Sequence, residues 1–379
     1  MGTGQRVPVS AWFRALVPWL RDAWRPAVAP VWRSPRRRRT LAAMNHLPIA
    51  LRRAAAVLSA ALLPGIAGAQ VGVQRLEGVD PAAAVSALVW YPTAVPAQPQ
   101  RVGPFALQVA VDAPPSDGRR PLLLVSHGTG GHELGHAWLA EGLAARGWLV
   151  LTMRQTADHF QDRSGIARAD FFERRARQLS RALDQVLADP RWRDRIDSAR
   201  IAAFGHSAGG HSVLALAGAR PDPARVVAWC SPGGAGLVDD AVMCGLGGRR
   251  GSDAVAVMQQ AAPPDVADRR IAAVVVAAPL VVPLQPASLQ ALRVPVWVEA
   301  SGRDEVLAAR HHALTLCGLP RVACHADTGA GHFASFQGGT GPLPANGIDP
   351  AFDPPGFDRP AWQRAALVRI AGFLEAATR

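Results

Sequence analysis

A serine hydroxyl is a poor nucleophile at its ordinary pKa. A serine that does chemistry therefore needs a base, an acid that orients the base, and donors for the negative charge that develops. Gly205-His206-Ser207-Ala208-Gly209-Gly210 offers the nucleophile, Ser207. It carries the G-x-S-x-G spacing, in which small residues flank a serine placed on a sharp turn between a strand and a helix. The apolar run 201–204 precedes it and an apolar-rich segment from His211 follows, so strand, turn and helix come in the required order. In a chain with 36 Gly the pentapeptide alone would carry little; the flanking elements give it weight. In sites of this kind the acid and then the histidine follow the serine along the chain. Asp304 comes directly after the apolar run 294–298, and His332, in Gly329-Ala330-Gly331-His332-Phe333, follows a short strand candidate at 321–326. Asp304 and His332 are the expected acid and base, with Glu305 a direct rival of Asp304. The buried run 122–125 leads into Ser126-His127-Gly128-Thr129-Gly130-Gly131, a glycine-rich loop of the kind that presents backbone donors. The N–H groups of Thr129 and Ala208 are the expected oxyanion hole.

These residues lie far apart in sequence, so a scaffold must bring them together. Short β-rich runs recur at 122–125, 148–151, 201–204, 271–276 and 294–298, each bounded by Gly, Pro or polar residues as buried parallel strands are. Helical spacing falls between them. Phe172, Ala176, Leu179, Leu183 and Val186 place one apolar face on a helix, and Leu367, Ile370, Ala371 and Leu374 do so after Pro360. Alternating strands and helices predict an α/β fold, with a mostly parallel central sheet covered by helices on both faces. Two irregular stretches, 221–270 and 338–355, interrupt the pattern; in an enzyme such insertions shape the pocket.

The run GHSAGGHSVLALAGA (205–219), with Trp90-Tyr91-Pro92, Ser126-His127-Gly128 and Gly331-His332-Phe333, resembles the predicted dienelactone hydrolase group of α/β-hydrolases, related to platelet-activating factor acetylhydrolases. The resemblance covers nearly all of residues 85–378. It implies an α/β-hydrolase fold, Ser207 as nucleophile, His332 as base and the backbones of Thr129 and Ala208 as oxyanion donors; Asp304 matches less closely, because acid placement varies among relatives. Dienelactone hydrolases proper use a Cys nucleophile. With serine at 207 the implied activity is ester hydrolysis without a cofactor or metal, on a small-molecule ester.

A competing pattern lies close by. His132-Glu133-Leu134-Gly135-His136 satisfies H-E-x-x-H, the helical zinc pair of many metallopeptidases. Gly135 weakens a helix there by about 1 kcal/mol. The longer H-E-x-x-H-x-x-G-x-x-H pattern also fails, because Leu139 stands at its glycine position. The segment is expected instead to open a helix in which Trp138, Leu139 and Leu143 pack. A zinc peptidase is one alternative to the esterase, and an inactive binding protein that kept the hydrolase fold is another.

The formal charge of +12 over 379 residues would point to a polyanion partner if it were evenly spread. It is not: residues 1–69 hold eleven Arg and one acid, whereas residues 70–379 hold 30 Arg against 28 acids. A nearly neutral body gives no footprint for nucleic acid. All 41 basic residues are Arg, which excludes lysine chemistry. From Met44 a short basic stretch, an apolar run from Ala54 and Ala67-Gly68-Ala69 read as a signal peptide over 44–69, with 1–43 a basic Trp- and Arg-rich upstream segment and 70–379 the catalytic domain. The apolar run, about 16 residues, falls short of the roughly 20 that span a bilayer. The expected location is periplasmic or secreted, with no stable membrane insertion after cleavage. The four Cys suit an oxidising compartment, and proximity favours Cys230 with Cys244 and Cys317 with Cys324, other pairings remaining open.

Overall fold

The computed structural model describes residues 70–76, 86–247, 252–339 and 349–379. The upstream segment 1–43 and the candidate signal peptide 44–69 lie outside the described residues. Among the described residues ten strands form one sheet: β1 (Gln70–Leu76), β2 (Ala87–Thr93), β3 (Gln98–Val102), β4 (Phe105–Val111), β5 (Arg120–Ser126), β6 (Leu149–Met153), β7 (Ile196–His206), β8 (Ile271–Ala277), β9 (Val296–Ser301) and β10 (Val322–Asp327). Their spatial order is β10-β9-β8-β7-β5-β6-β2-β1-β4-β3.

Strands β5 to β10 pair in parallel. Every strand expected from the apolar runs is among them. Strands β1 to β4 extend the sheet with mostly antiparallel pairing, and the apolar-run reading does not reveal them. Their chemistry explains why. In β3, QPQRV has no buried residue, and β4 alternates buried and exposed positions. A sheet margin with one wet face produces such a pattern rather than a continuous apolar run.

The helices are α1 (Ala137–Ala144), α2 (Phe171–Ala188), α3 (Ala208–Leu216), α4 (Pro223–Trp229), α5 (Gly236–Asp239), α6 (Ala241–Gly247), α7 (Ser252–Gln260), α8 (Pro286–Gln290), α9 (Ala313–Leu316) and α10 (Arg359–Ala377). Side chains alternate across each strand, so the sheet feeds two apolar cores. On one face Leu122, Leu124, Leu149 and Leu151 pack with Ala176, Leu179, Leu183 and Val186 of α2 and with Val213 and Leu216 of α3. On the other face Leu123, Val125, Val150 and Phe204 meet Leu139 and Leu143 of α1 and Trp362, Ile370 and Leu374 of α10. Helix α10 opens on Asp358, whose carboxylate accepts the Ala361 amide at 2.9 Å, with Pro360 in the first turn.

The irregular stretch 221–270 contains α4 to α7, and the disulfide Cys230–Cys244 ties the end of α4 to α6. Cys317–Cys324 ties the end of α9 to β10. Of the second irregular stretch, residues 340–348 lie outside the described residues. Among the described residues no helix is long and apolar enough to cross a membrane.

One feature of strand order positions the site. The chain runs from β5 outward to β6 and then returns past β5 to β7, so β5 sits between β6 and β7. Connections diverge at that point and leave a crevice beyond the carboxyl ends of the strands, where open parallel sheets bind ligands. The loop after β5 carries Thr129, and the turn after β7 carries Ser207.

Candidate active site

Ser207 occupies the turn between β7 and α3 with φ 55° and ψ −121°. A positive φ at a residue with a side chain costs on the order of 1–3 kcal/mol and persists only where surroundings over-determine it. Here three backbone hydrogen bonds do so. The Ser207 amide donates to the Ala277 carbonyl at 3.1 Å, and its own carbonyl accepts from Leu280 N at 3.0 Å and His211 N at 3.2 Å. At about 1 kcal/mol each these offset the strain. The flanking glycines are required by close approach. A Cβ on Gly205 would stand 2.2 Å from the Gly209 carbonyl oxygen, and one on Gly209 2.0 Å from that of Ser126. Ala208 is the first residue of α3, so its N–H belongs to the helix-start amides that have no partner within the helix. The positive end of the α3 dipole lies at the same place.

His332 and Asp304 come together from loops after β10 and β9. The His332 Nδ1 lies 2.9 Å from Asp304 Oδ2 and 3.0 Å from Oδ1, and both side chains are 2% exposed. Asp304 is fixed in turn: its Oδ1 accepts the amides of Val306 (2.9 Å) and Leu307 (2.7 Å). With Nδ1 taken by the carboxylate, Nε2 is the imidazole nitrogen left to accept a proton. Glu305, the rival acid, faces the backbone instead, its Oε2 accepting the His332 amide at 3.2 Å. The loop of His332 is anchored beside the elbow, because Nε2 of His206, the residue before Ser207, donates to the His332 carbonyl at 2.9 Å. Burial holds His206 well below the usual histidine pKa, which keeps it a neutral donor.

The loop after β5 approaches the same turn. A Cβ on Gly128 would stand 3.1 Å from the Ser207 Cβ, so the backbone of the Thr129 loop passes directly over the serine. Beneath the loop lies a buried polar cluster that residue-type patterns did not reveal. Asp158 Oδ1 accepts the Gly130 amide at 2.8 Å, and its Oδ2 accepts from Arg175 of α2. Arg175 also donates to the His127 carbonyl. The His127 Nε2 accepts the Gln155 amide at 3.0 Å, and burial lowers its pKa well below the ordinary value, with the Arg175 charge adding to the effect. The signal available in sequence was Arg175, which with Gln178 breaks the apolar buried face of α2 and reads as an interruption.

The H-E-x-x-H residues adopt turns, and α1 begins only at Ala137, so His132 and His136 do not share a helical face. Glu133 is ion-paired with Arg154, at 2.7 Å to Nη2, and His136 Nδ1 donates to the Ser335 carbonyl at 2.7 Å. Leu139 and Leu143 are fully buried, as expected of packing residues. A cavity of about 580 Å³ lined by Arg225, Trp229, Leu284, Leu289 and His311 contains none of the candidate site residues.

No family model matches the chain. Cutinase 2 of Thermobifida cellulosilytica is 40% identical over 100 residues, 26% of this chain and 34% of its own length. Bis(hydroxyethyl) terephthalate hydrolase of Streptomyces coelicolor is 34% identical over 106 residues, 28% of this chain and 31% of its own. The matched stretches thus span about a third of these relatives. Among solved structures, a ferulic acid esterase from Streptomyces cinnamoneus superposes with a TM-score of 0.55 at 17% identity, covering 81% of this chain and 90% of its own. That likeness and the sheet order together show an α/β-hydrolase fold.

Proposed function

We propose that the chain is an exported serine hydrolase of carboxylic esters, acting through an acyl-enzyme on small-molecule esters. The observation that carries this reading is the strained backbone of Ser207 at the switch point of the sheet, beside an imidazole whose Nδ1 is held by a buried carboxylate. The relatives named as cutinases and as a bis(hydroxyethyl) terephthalate hydrolase support an ester substrate.

In this reading the side chains act in sequence. The Ser207 hydroxyl attacks the ester carbonyl while His332 Nε2 takes its proton, and the imidazolium is stabilised by Asp304. The carbonyl oxygen becomes negative and is held by the N–H groups of Ala208 and Thr129. His332 returns the proton to the departing alcohol, leaving the acyl group on Ser207 Oγ. Water, losing a proton to His332, then releases the carboxylic acid and restores the serine. Ser207, His332 and the attacking water together account for every proton and electron pair that the reaction moves.

The finer placement, in the dienelactone hydrolase-like group, rests on the 205–219 run. Export is supported by the two disulfides, which persist in oxidising compartments. A fluorophosphonate probe tests the reading. It is expected to label the chain at Ser207, to leave Ser207→Ala unlabelled, and to be unaffected by chelator. Chelator-sensitive ester or peptide hydrolysis retained in Ser207→Ala would favour the zinc alternative instead.

A further inference from the structure

The guanidinium of Arg175 bonds to groups that flank both halves of the proposed oxyanion hole. On one side Nη2 donates to the His127 carbonyl, and Nη1 pairs with Asp158, whose other oxygen accepts the Gly130 amide at 2.8 Å. The peptide unit that carries the Thr129 N–H is therefore held between two pinned neighbours, one fixed through the His127 carbonyl and one through the Gly130 amide. On the other side Nε donates to Ser212 Oγ at 3.3 Å, and that hydroxyl donates to the Ala208 carbonyl at 2.9 Å within the first turn of α3. Arg175 is 1% exposed and Asp158 fully buried, so water does not compete for these bonds.

We infer that Arg175 is a positioning residue that fixes the separation of the Thr129 and Ala208 amides, by tying the loop after β5 and the start of α3 to one rigid fork on α2. This rests on the serine-hydrolase reading. Oxyanion donors lower a barrier only when they are aimed before the charge appears, because reorienting them during the reaction would cost what they supply. A planar guanidinium with donors in fixed directions can hold both segments at one spacing, whereas a lysine ammonium of equal charge cannot bridge them. Asp158 neutralises the buried cation and serves as the second grip on the loop.

The test compares Arg175→Met, Arg175→Lys, Asp158→Asn and Ser212→Ala with the unaltered chain. Active sites are counted by fluorophosphonate titration, and kcat, KM and inhibition by an alkyl boronic acid are measured on a p-nitrophenyl ester well below the melting temperature. Arg175→Met is expected to lower kcat about 100-fold, in the range seen when one oxyanion donor is lost. KM should change less than about threefold, while boronate affinity falls in step with kcat. Arg175→Lys should fail to restore kcat. Ser212→Ala, which cuts only the connection to α3, should lower kcat several-fold with the fold intact, and it carries the test if Arg175→Met does not fold. Unchanged kcat per titrated site and unchanged boronate affinity in Ser212→Ala and Asp158→Asn would overturn the inference, as would full recovery with lysine. An unaltered chain that neither labels nor turns over esters would remove the reading beneath it, and the inference with it.

Discussion

Among the described residues two aspartate–histidine pairs are buried, and only one belongs to the proposed catalytic site. In the first, His332 gives Nδ1 to Asp304, and its loop is fastened beside the Ser207 elbow. In the second, His312 Nε2 donates to Asp240 at 3.0 Å, both side chains being 1% exposed or less. There the other nitrogen is already spent, since His312 Nδ1 accepts the Val281 amide at 3.0 Å. Asp240 also accepts the Ala308 amide at 2.7 Å and the Trp229 indole N–H at 2.8 Å. Burial works against its charge, yet His312 and these donors hold its carboxyl below the usual range. The difference lies in the second nitrogen. An imidazole with one nitrogen on a carboxylate and the other unclaimed can shuttle a proton, while one with both nitrogens engaged is a brace. Asp240 fastens the 221–270 insertion to the segment that follows Asp304.

Substituting the two aspartates in parallel would break this comparison most sharply. Asp304→Asn keeps shape but removes the preference for the Nδ1–H tautomer, and a loss of about 10⁴ in kcat is expected, on top of a stability cost like that of Asp240→Asn, because Asp304 too is a buried acceptor of three donors. Asp240→Asn should spare catalysis. It should cost about 1–3 kcal/mol of stability, read from urea unfolding, because a charged acceptor of three buried donors is weakened; kcat per titrated site should stay within a few-fold. Similar kcat losses in both variants would erase the distinction. A smaller effect separates a carboxyl held by several donors from one with a single long amide contact, Gln108 N to Glu141 Oε1 at 3.4 Å. Burial pushes the Glu141 carboxyl of α1 up to about 7. Its raised folded pKa means that the fold is favoured below the ordinary value near 4.5 and loses stability as pH climbs from there through 7. Glu141→Gln is expected to gain on the order of 1 kcal/mol at pH 8 and nothing at pH 4, a figure reduced because the side chain is partly exposed.

The same comparison shows which parts were legible in sequence. Ser207 was readable because its demands are local: a strand, small residues at fixed spacing and a helix, all within about 15 residues. The parallel strands were readable because burial on both faces leaves unbroken apolar runs. Asp304 could not be separated from Glu305 by pattern, since adjacent loop residues differ only in where the chain directs them. The structure sends one carboxylate to the imidazole and the other to the His332 amide. Asp240–His312 was invisible for a related reason. Its partners lie 72 positions apart and join two segments with no common periodicity. Arg175 sat in plain view on α2, but amphipathic spacing assigns meaning to apolar positions and none to the polar exceptions, Arg175 and Gln178, among them. Strands β3 and β4 escaped because exposed or alternating positions are a weaker signal than a buried run.

The central claim is that Ser207 forms a covalent acyl intermediate with His332 as its base. Rapid quench of the chain with p-nitrophenyl acetate, followed by peptide mass mapping, tests it most directly. The account predicts a burst of nitrophenol equal to the titrated sites and an acetyl group on the peptide that contains Ser207, both lost in Ser207→Ala and His332→Ala. Ester turnover without a burst or adduct, undiminished in those variants, would contradict it.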